Sequence, residues 1–393
     1  MLILILYTII LIEIMNGVYH YYMLYWVNIS REYSNFSHYK KILDDNYLIL
    51  EFSDEEIMEM IENVFNYDND FPISLDSIMR ENMEELISEI VYFRDNRDFR
   101  VKQIVDKIEE QLLYTFEPGY NKELRTIKYG RDKIHCKYQL GIINLVMFFI
   151  KIYTYALMSF HGYKTFVSKN NIVYFIKKKT STVTFIYHGL GLGVLPYVDN
   201  LNSLDTSLVF ALIPNVSNIE NDRIRIFPKN TDWIEDINEI NQKYGFMETN
   251  ILGHSFGTII CGYIIKSRME LNRIVLVEPV CFFDGFWKII KYISNEKENI
   301  LYDMYIYNDI YLKYILHRLI NGDEYWLYLN DLEEVEKYLI VLSDGDDIVH
   351  TEIIKNKCNK KSIENIVLNN IEHSDIFIKY SGDIFDRINK FIV

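Results

Sequence analysis

The sequence has few of the residues that build several common kinds of site. Its four cysteines, Cys136, Cys261, Cys281 and Cys358, lie without paired spacing, which argues against a disulfide framework and against a zinc site. Only 6 prolines are present among 393 residues, and no Pro/Ser-rich tract, low-complexity segment or internal repeat occurs. We therefore expect no metal and no other cofactor, and we expect no long linker.

Basic residues are also in deficit. Lysine and arginine total 41 against 56 aspartates and glutamates, which gives a net charge of −15. A field of that sign repels phosphate backbones, so we expect no nucleic-acid partner. The hydrophobic fraction of 49% and the charged fraction of 25% are typical of a globular protein with a sizeable core. The length favours one large domain with an N-terminal appendage.

Residues 1–27 are strongly apolar, with Glu13 and His20 as their ionisable side chains apart from tyrosines. Ten leucines and isoleucines lie between Leu2 and Ile14 and would contribute about −3 to −6 kcal/mol to membrane insertion. A central carboxylate would oppose insertion by about 2.5 to 3.5 kcal/mol. The aromatic residues that follow are typical of a helix that leaves the hydrocarbon for the headgroups: Tyr19, Tyr21, Tyr22, Tyr25 and Trp26. We therefore predict a single-pass membrane-anchor helix in contact with a lipid bilayer.

Two other interpretations of this segment stay open. One is a buried N-terminal helix. The other is a cleaved signal peptide, which the missing basic n-region and the absence of small residues at a cleavage site disfavour. Basic residues flank the segment on its C-terminal side, at Arg31, Lys40 and Lys41. This asymmetry predicts that the rest of the chain lies on the cytosolic side of the membrane.

Residues 28–161 are predicted to form a helical N-terminal region. Ser53 followed by Glu56 is a capping-box start, and further helices are predicted over Leu75–Tyr92 and Val101–Tyr114. The simplest interpretation is a helical cover for the following domain.

A second long apolar run spans Leu140–Phe160. Its polar residues, Asn144 and Lys151, lie seven apart and hence on one face of a helix. A second transmembrane span is an alternative here. A buried or interface-lying helix is favoured, because Lys151 is central and has no obvious partner in the sequence.

Residues 162–393 alternate short apolar strands with amphipathic helices, which predicts a mostly parallel sheet flanked by helices. The predicted strands are Thr182–Tyr187, Ser207–Ile213, Met247–Leu252, Arg273–Val277, Tyr338–Leu342 and Ile363–Leu368. The predicted helices are Thr231–Tyr244, Ser255–Ser267, His350–Lys355 and Asp383–Ile392. The stretch of about 282–336 is longer than a crossover needs, and we interpret it as a lid insertion.

The strongest motif is Gly253-His254-Ser255-Phe256-Gly257, between a predicted strand and a predicted helix. This is the context of a nucleophile elbow, in which the serine sits on a strained turn above the sheet edge. Side chains two residues before and after the serine would collide with neighbouring elements, which explains glycine at 253 and 257. Ser255 is therefore the predicted nucleophile.

A glycine-rich turn, residues 188–193, ends the first strong strand of this domain. Its glycines, Gly189 and Gly191 among them, let backbone N–H groups face a ligand. The N–H groups of Leu190 and Phe256 are predicted to form an oxyanion hole. Tyr197 and Asp199 follow and are candidates for lining the site.

A serine nucleophile needs a base and an orienting acid, which follow it in chain order in this architecture. Residues 342–349 follow a strand and offer three carboxylates, of which Asp346 is our choice. His373 lies after the last predicted strand, where the base should lie. Glu278 also ends a strand and is the second candidate acid, although Pro279 beside it favours Asp346.

With these residues in place, the chain resembles the α/β-hydrolase superfamily from about Gly162 to its C-terminus. Within it, the segments 185–191, 253–257, 278–282 and 342–349 resemble a poorly characterised branch from eukaryotic microbes with an N-terminal membrane segment. The resemblance implies an intracellular, membrane-associated, lipase-like hydrolase.

The function expected from these motifs is hydrolysis of a carboxylic ester, through an acyl-enzyme formed by Ser255, His373 and Asp346. The membrane segment and the aromatic lid predict a lipid or similarly apolar acyl ester as substrate. One alternative is an acyltransferase with a lysolipid or alcohol acceptor, although the H-x-x-x-x-D signature of some such enzymes is absent, since Ile378 takes its place. Another is a non-catalytic binding protein on the same fold.

Overall fold

The computed structural model describes residues 2–29, 52–67, 74–92, 97–126, 133–138, 140–217, 227–294, 309–319, 322–379 and 383–393. In these ranges the strands are β1 (Phe65–Tyr67), β2 (Leu124–Thr126), β3 (Lys164–Val167), β4 (Val173–Lys177), β5 (Thr182–Tyr187), β6 (Ser207–Leu212), β7 (Glu248–His254), β8 (Ile274–Val277), β9 (Tyr338–Ser343) and β10 (Glu364–Leu368). The helices are α1 (Leu2–Ile29), α2 (Asp54–Val64), α3 (Arg80–Tyr92), α4 (Phe99–Leu112), α5 (Gly141–Phe160), α6 (Val198–Leu201), α7 (Asn230–Tyr244), α8 (Gly257–Lys266), α9 (Phe286–Ser294), α10 (Ile310–Tyr314), α11 (Gly322–Tyr325), α12 (Thr351–Lys361) and α13 (Asp383–Ile392).

Eight of these strands form one sheet in the order β10-β9-β8-β7-β5-β6-β4-β3. Neighbouring strands from β10 to β6 run parallel, whereas β4 is antiparallel to both β3 and β6. Strands β1 and β2 form a separate antiparallel pair. A mostly parallel sheet of this kind, with helices on both faces and a reversed strand near one edge, is the α/β-hydrolase fold. The predicted fold class is confirmed.

The central strands are apolar because the sheet is covered on both faces. All six residues of β6 and all six of β9 are buried, as expected for strands of a parallel sheet between two helical layers. Neighbouring side chains on a strand point to opposite faces, so Phe185 packs in one core and Ile186 in the other. The register sets Ile186 opposite Phe210 of β6 and Leu252 of β7, which continues the second core across three strands.

The six predicted strands correspond to β5 through β10, with no end displaced by more than two residues. The prediction omits β3 and β4. Strand β3 is an edge strand with one buried residue, and β4 is a run of five residues that ends at Lys177 and is followed by Lys178 and Lys179. Neither segment carries the alternating pattern that identifies a strand in a sequence. The helix predicted over His350–Lys355 corresponds to α12, which is longer and continues to Lys361.

The helices of the N-terminal region pack on the same core as one face of the sheet. Helix α2 begins with the predicted capping box, in which Ser53 accepts from Glu56 N–H and Glu56 accepts from Ser53 N–H. Its buried apolar side is Ile57, Met60, Ile61 and Val64. The predicted helices at Leu75–Tyr92 and Val101–Tyr114 correspond to α3 and α4, which begin at Arg80 and Phe99.

The predicted lid lies between β8 and β9 and includes α9, α10 and α11; its residues 295–308 and 320–321, with Tyr302 and Tyr305 among them, lie outside the described part of the chain. Several of its aromatic residues are buried. Phe283 stacks on Phe286 with ring centroids 4.6 Å apart, and Phe52 from the N-terminal region lies 5.3 Å from Trp287. These rings therefore form a core between the insertion and α2.

Helix α1 is bound to the start of α5 through Glu13. Its carboxylate accepts hydrogen bonds from the Tyr138 hydroxyl at 2.6 Å and from the Gly141 N–H at 3.1 Å. Further along α1, Asn28 exchanges hydrogen bonds with the backbone of Ile134. The Glu13 carboxylate, whose charge opposes membrane insertion, therefore has hydrogen-bond partners within the protein. The basic residues Arg31, Lys40 and Lys41, on which the predicted orientation rests, lie outside the described residues.

Helix α5 is the helix in the described part of the chain that is long and apolar enough to cross a membrane. Only 22% of its most apolar window is buried. One side packs on the sheet, with Tyr155 5.0 Å from the ring of Phe175 in β4. The exposed apolar residues of the other side are Ile142, Leu145, Val146, Phe148, Phe149, Ile152 and Tyr153. Lys151 lies 5.9 Å from the Tyr155 ring, so this cation has a neighbour that the sequence did not reveal.

Candidate active site

The predicted elbow lies between β7 and α8, at the carboxyl end of the sheet. Ser255 has φ of 48°, in the left-handed region that side chains other than glycine seldom adopt. Its N–H donates to the Val277 carbonyl at 2.9 Å, which fixes the turn against the end of β8. The strained backbone lifts the serine hydroxyl away from the strand, as the motif predicts.

The flanking glycines are required by close approach. A Cβ at Gly257 would lie 2.0 Å from the carbonyl oxygen of Tyr187, at the end of β5. A Cβ at Gly253 would lie 2.6 Å from the Cys261 sulfur and 2.9 Å from the Gly257 carbonyl oxygen. All three distances are too short for real contacts, so the elbow can form only with glycine at these two positions.

Ser255, His373 and Asp346 lie in a hydrogen-bonded row. The Ser255 Oγ is 2.8 Å from His373 Nε2, and His373 Nδ1 is 2.7 Å from Asp346 Oδ2. A carboxylate accepts, so in the neutral imidazole Nδ1 carries the proton and Nε2 accepts from the serine hydroxyl. The structure thus brings together the three residues that the sequence proposed, from the ends of β7, β9 and β10.

The Asp346 side chain is held by its own loop. Its second oxygen, Oδ1, accepts from the N–H groups of Ile348 and Val349, both at 2.8 Å. Asp344 and Asp347 are exposed. This arrangement leaves Oδ2 of Asp346 directed at the imidazole.

Charge around His373 alters its basicity. Burial alone would lower the pKa of His373, but the negative charges of Asp346 and Glu278 outweigh burial and raise that pKa from its ordinary value of 6.5 to about 9. The Glu278 Oε2 lies 3.7 Å from His373 Nδ1, compared with 2.7 Å for Asp346. Asp346 therefore makes the hydrogen bond, and Glu278 adds a nearby charge.

The glycine-rich turn lies against the nucleophile. A Cβ at Gly189 would be 3.2 Å from Ser255 Cβ, so the turn and the elbow touch. His188 is buried; its Nδ1 donates to the Gly189 carbonyl and its Nε2 accepts from the Ile213 N–H. Burial lowers the pKa of His188 to about 4, which keeps this imidazole neutral.

The predicted oxyanion donors are Leu190 and Phe256. In the described part of the chain, the backbone hydrogen bonds of turns and loops include none from either N–H group. The Gly191 N–H, in contrast, donates to the Val216 carbonyl at 3.2 Å, and Gly191 has φ of 111°. Glycine at 191 thus serves the shape of the turn.

A second hydrogen-bonded group lies beneath this row. Glu278 is fully buried, and its carboxylate accepts from His254 Nε2 at 2.8 Å, from the Ser374 N–H at 2.7 Å and from the Ser343 hydroxyl at 2.5 Å. Sequence reasoning found Glu278 only as a rival acid. It missed Ser343 and Ser374, because a lone serine beside a strand end carries no distinguishing signal.

The residues Tyr197 and Asp199 have different surroundings. The Tyr197 hydroxyl accepts from the Gly189 N–H at 2.8 Å and bonds to His254 Nδ1 at 2.6 Å, so Tyr197 supports the glycine-rich turn. Asp199 is exposed and lies 3.8 Å from His161. Asp199 therefore lies outside this hydrogen-bonded group.

In the described residues, His254, Glu278 and His373 form the group whose ligand atoms are close enough to hold a metal ion, within 4.8 Å of one another. Both histidines already bond to carboxylates, and these hydrogen bonds account for the arrangement. The expectation that the chain uses no metal stays a prediction.

No protein-family model and no curated protein matches this chain. Among solved structures, an esterase from Pyrococcus furiosus matches with a TM-score of 0.43 and 13% identity, over 58% of this chain and 89% of the esterase. A membrane phospholipase A, described as a bacterial virulence factor, matches with a TM-score of 0.45 and 12% identity, over 64% and 93%. A naproxen esterase from Bacillus subtilis matches with 0.42 and 13%, over 62% and 98%.

The elbow packing gives a first prediction. Gly257→Ala places a methyl group 2.0 Å from a backbone oxygen of β5, so the turn must shift. We expect a loss of more than about 2 kcal/mol in the free energy of unfolding, together with loss of a reactive serine. Chemical denaturation measures the first effect, and fluorophosphonate labelling measures the second.

Gly245→Ala is the control, because this glycine has open space around it, so alanine there meets only the backbone strain of a φ of 68° and no packing clash. We expect this change to cost about 1 kcal/mol and to leave labelling intact. Equal effects of the two substitutions would mean that contact with β5 does not fix the elbow.

Proposed function

We propose that the protein is a serine hydrolase that cleaves a carboxylic ester through an acyl-enzyme. The observation that carries this proposal is the row Ser255–His373–Asp346, with distances of 2.8 Å and 2.7 Å between the bonding atoms. A strained elbow at φ of 48° and a base whose pKa is raised by two carboxylates support it.

In the proposed mechanism, the Ser255 oxygen attacks the ester carbonyl while His373 Nε2 takes its proton. The N–H groups of Leu190 and Phe256 donate to the oxyanion of the tetrahedral intermediate. His373 then gives the proton to the leaving alcohol, and the acyl group stays on Ser255. A water molecule, activated by the same imidazole, hydrolyses the acyl-enzyme and regenerates the serine. Asp346 holds the imidazole in the tautomer that this sequence requires.

We further propose a lipid or similarly apolar acyl ester as substrate, at a membrane to which α1 anchors the chain. Three observations support this. The described side chains of α1 include many exposed apolar residues, among them Ile10, Leu11, Ile12 and Ile14. The apolar outer face of α5 begins where Glu13 of α1 is bound. The insertion between β8 and β9 reaches the acid loop, where the Lys288 ammonium donates to the Asp346 carbonyl at 2.6 Å, and it carries buried aromatic rings such as Phe283 and Trp326. As part of the same proposal, the chain belongs with a membrane-associated branch from eukaryotic microbes that it resembles. Its catalytic part then lies on the cytosolic side of an intracellular membrane.

Ser255→Ala tests the nucleophile. We expect it to abolish fluorophosphonate labelling and to lower turnover of ester substrates by several orders of magnitude, about 10⁶-fold in the best-studied comparable case. Circular dichroism and thermal unfolding should show an intact fold. If this variant still reacts with the probe, another residue is the nucleophile.

Asp346→Asn tests the acid. We expect about a 10⁴-fold loss of turnover, because an amide at this position favours the wrong imidazole tautomer. Asp344→Asn and Asp347→Asn remove exposed carboxylates from the same loop and serve as matched controls. A crippling effect from either control, with Asp346→Asn mild, would contradict the assignment.

Deletion of residues 1–27 tests the anchor. We expect the full-length protein to stay with membranes after alkaline carbonate extraction and the truncated protein to be released. Activity on long-chain lipid esters in vesicles should fall, whereas activity on a short soluble ester should change much less. Continued resistance to extraction, or equal changes in both activities, would count against the proposal.

A further inference from the structure

We propose that Glu278 is a positioning residue whose carboxylate ties together the four loops of the site described above. This inference rests on the proposed function, because positioning is meaningful only for residues that act together. The direct partners are His254 in the elbow, Ser343 at the end of β9 and Ser374 beside His373. The fourth loop, the glycine-rich turn, is reached through His254 and Tyr197.

The direction of each hydrogen bond follows from the groups involved. The Glu278 carboxylate accepts, so His254 carries its proton on Nε2 and accepts at Nδ1 from the Tyr197 hydroxyl. The Tyr197 oxygen in turn accepts from the Gly189 N–H. This chain runs from Gly189 to Tyr197, His254 and Glu278, with one donor and one acceptor at every step. It joins the turn that carries Leu190 to the residue that precedes Ser255.

All four members of this chain are buried, so water does not compete for these hydrogen bonds. Tyr197 also packs on Phe377, with ring centroids 4.5 Å apart, and Phe377 lies 4.9 Å from the His254 ring. Phe377 belongs to the segment that follows His373. The apolar contacts therefore link the same loops as the polar ones.

The backbone at position 278 supports a requirement for this side chain. Glu278 has φ of 47°, which favours glycine, and proline follows it. A residue other than glycine is strained in this conformation. Its N–H donates to the Val341 carbonyl at 2.7 Å, which holds the strained residue between the ends of β8 and β9. The strained backbone and the buried carboxylate at this position are both held by contacts with the neighbouring loops.

The charge state of Glu278 agrees with its contacts. Burial alone would raise the pKa of Glu278, but the charge of His373 and the hydrogen bond from His254 outweigh burial and lower the pKa to about 2. The carboxylate is therefore ionised at neutral pH. Since it lies 3.7 Å from His373 Nδ1, it also favours the protonated form of the catalytic imidazole.

Hydrogen–deuterium exchange tests the positioning without any need for activity. In Glu278→Gln, a neutral amide oxygen replaces the carboxylate as acceptor for His254 Nε2 and the Ser374 N–H, so these bonds lose their charge assistance, and an amide nitrogen then faces the Ser343 hydroxyl. We expect faster exchange in two segments, residues 188–193 and residues 371–377. Tyr197→Phe removes the hydroxyl alone, so we expect faster exchange in residues 188–193. The exchange rate of residues 371–377 should stay at its wild-type value. Glu372→Gln, which replaces an exposed carboxylate in the histidine loop, is the control and should change neither segment.

Kinetics test the consequence. We expect Glu278→Gln to lower kcat by about 10- to 100-fold with little change in KM, as small misplacements of reacting groups do.

The pH profile gives a second test. Only neutral His373 can act as base, so kcat/KM rises with pH through the pKa of His373. Removal of the Glu278 charge lowers that pKa, and the rising limb should move to lower pH. Glu278→Asp keeps the charge and should leave the limb near its wild-type position. The losses from Glu278→Gln and Tyr197→Phe should be less than additive.

Exchange in Glu278→Gln that equals that of Glu372→Gln would overturn the proposal. A loss of turnover as large as that of Asp346→Asn would also overturn it, because Glu278 would then be the catalytic acid itself. If the wild-type protein does not react with fluorophosphonate, the proposed function fails, while the exchange experiment still decides whether Glu278 ties the loops together.

Discussion

The geometry of the site depends on one close packing contact, between the first residue of α8 and the last residue of β5. Gly257 approaches the Tyr187 carbonyl so closely that no side chain fits between them. This contact sets the angle between β7 and α8 and thereby the strained conformation of Ser255. The glycine-rich turn leaves β5 at the same point, so the nucleophile and the turn are adjacent as a result of the same contact. The histidine and acid loops then reach Ser255 from strand ends on the same edge.

Much of the fold and of the candidate row could be predicted from the sequence, for identifiable physical reasons. Strands buried on both faces appear as continuous apolar runs, which is why β5 through β9 were found, whereas β10 is an edge strand that is only partly buried. The elbow was visible because steric crowding demands glycine at two fixed spacings from Ser255. Asp346 and His373 could be identified in the sequence because each follows a predicted strand. The carboxyl ends of parallel strands lie at the same end of the sheet, and the two residues follow Ser255 in the chain order of acid and then base.

Other features could not be predicted because they depend on contacts between distant segments. Strand β3 is defined by its pairing with β4 and has little apolar pattern of its own. The partners of Glu278 come from three separate strand ends, and two of them contribute a backbone N–H or a lone hydroxyl. A backbone donor has no signature in a sequence. The side chain of Glu278 was noticed, but its role as a shared acceptor emerges only in three dimensions.

The bond between Glu13 and Gly141 links two segments that are 128 residues apart. Leu140, at the N-terminal boundary of α5, offers no capping side chain, so the Glu13 carboxylate caps this helix from outside. During synthesis, α1 leaves the ribosome long before its partner exists, and its one carboxylate is then unmatched. Helix α1 can therefore bind the start of α5 only late in folding, when Gly141 is in place. The chain must complete its helical N-terminal region before its first helix acquires the partner for this carboxylate.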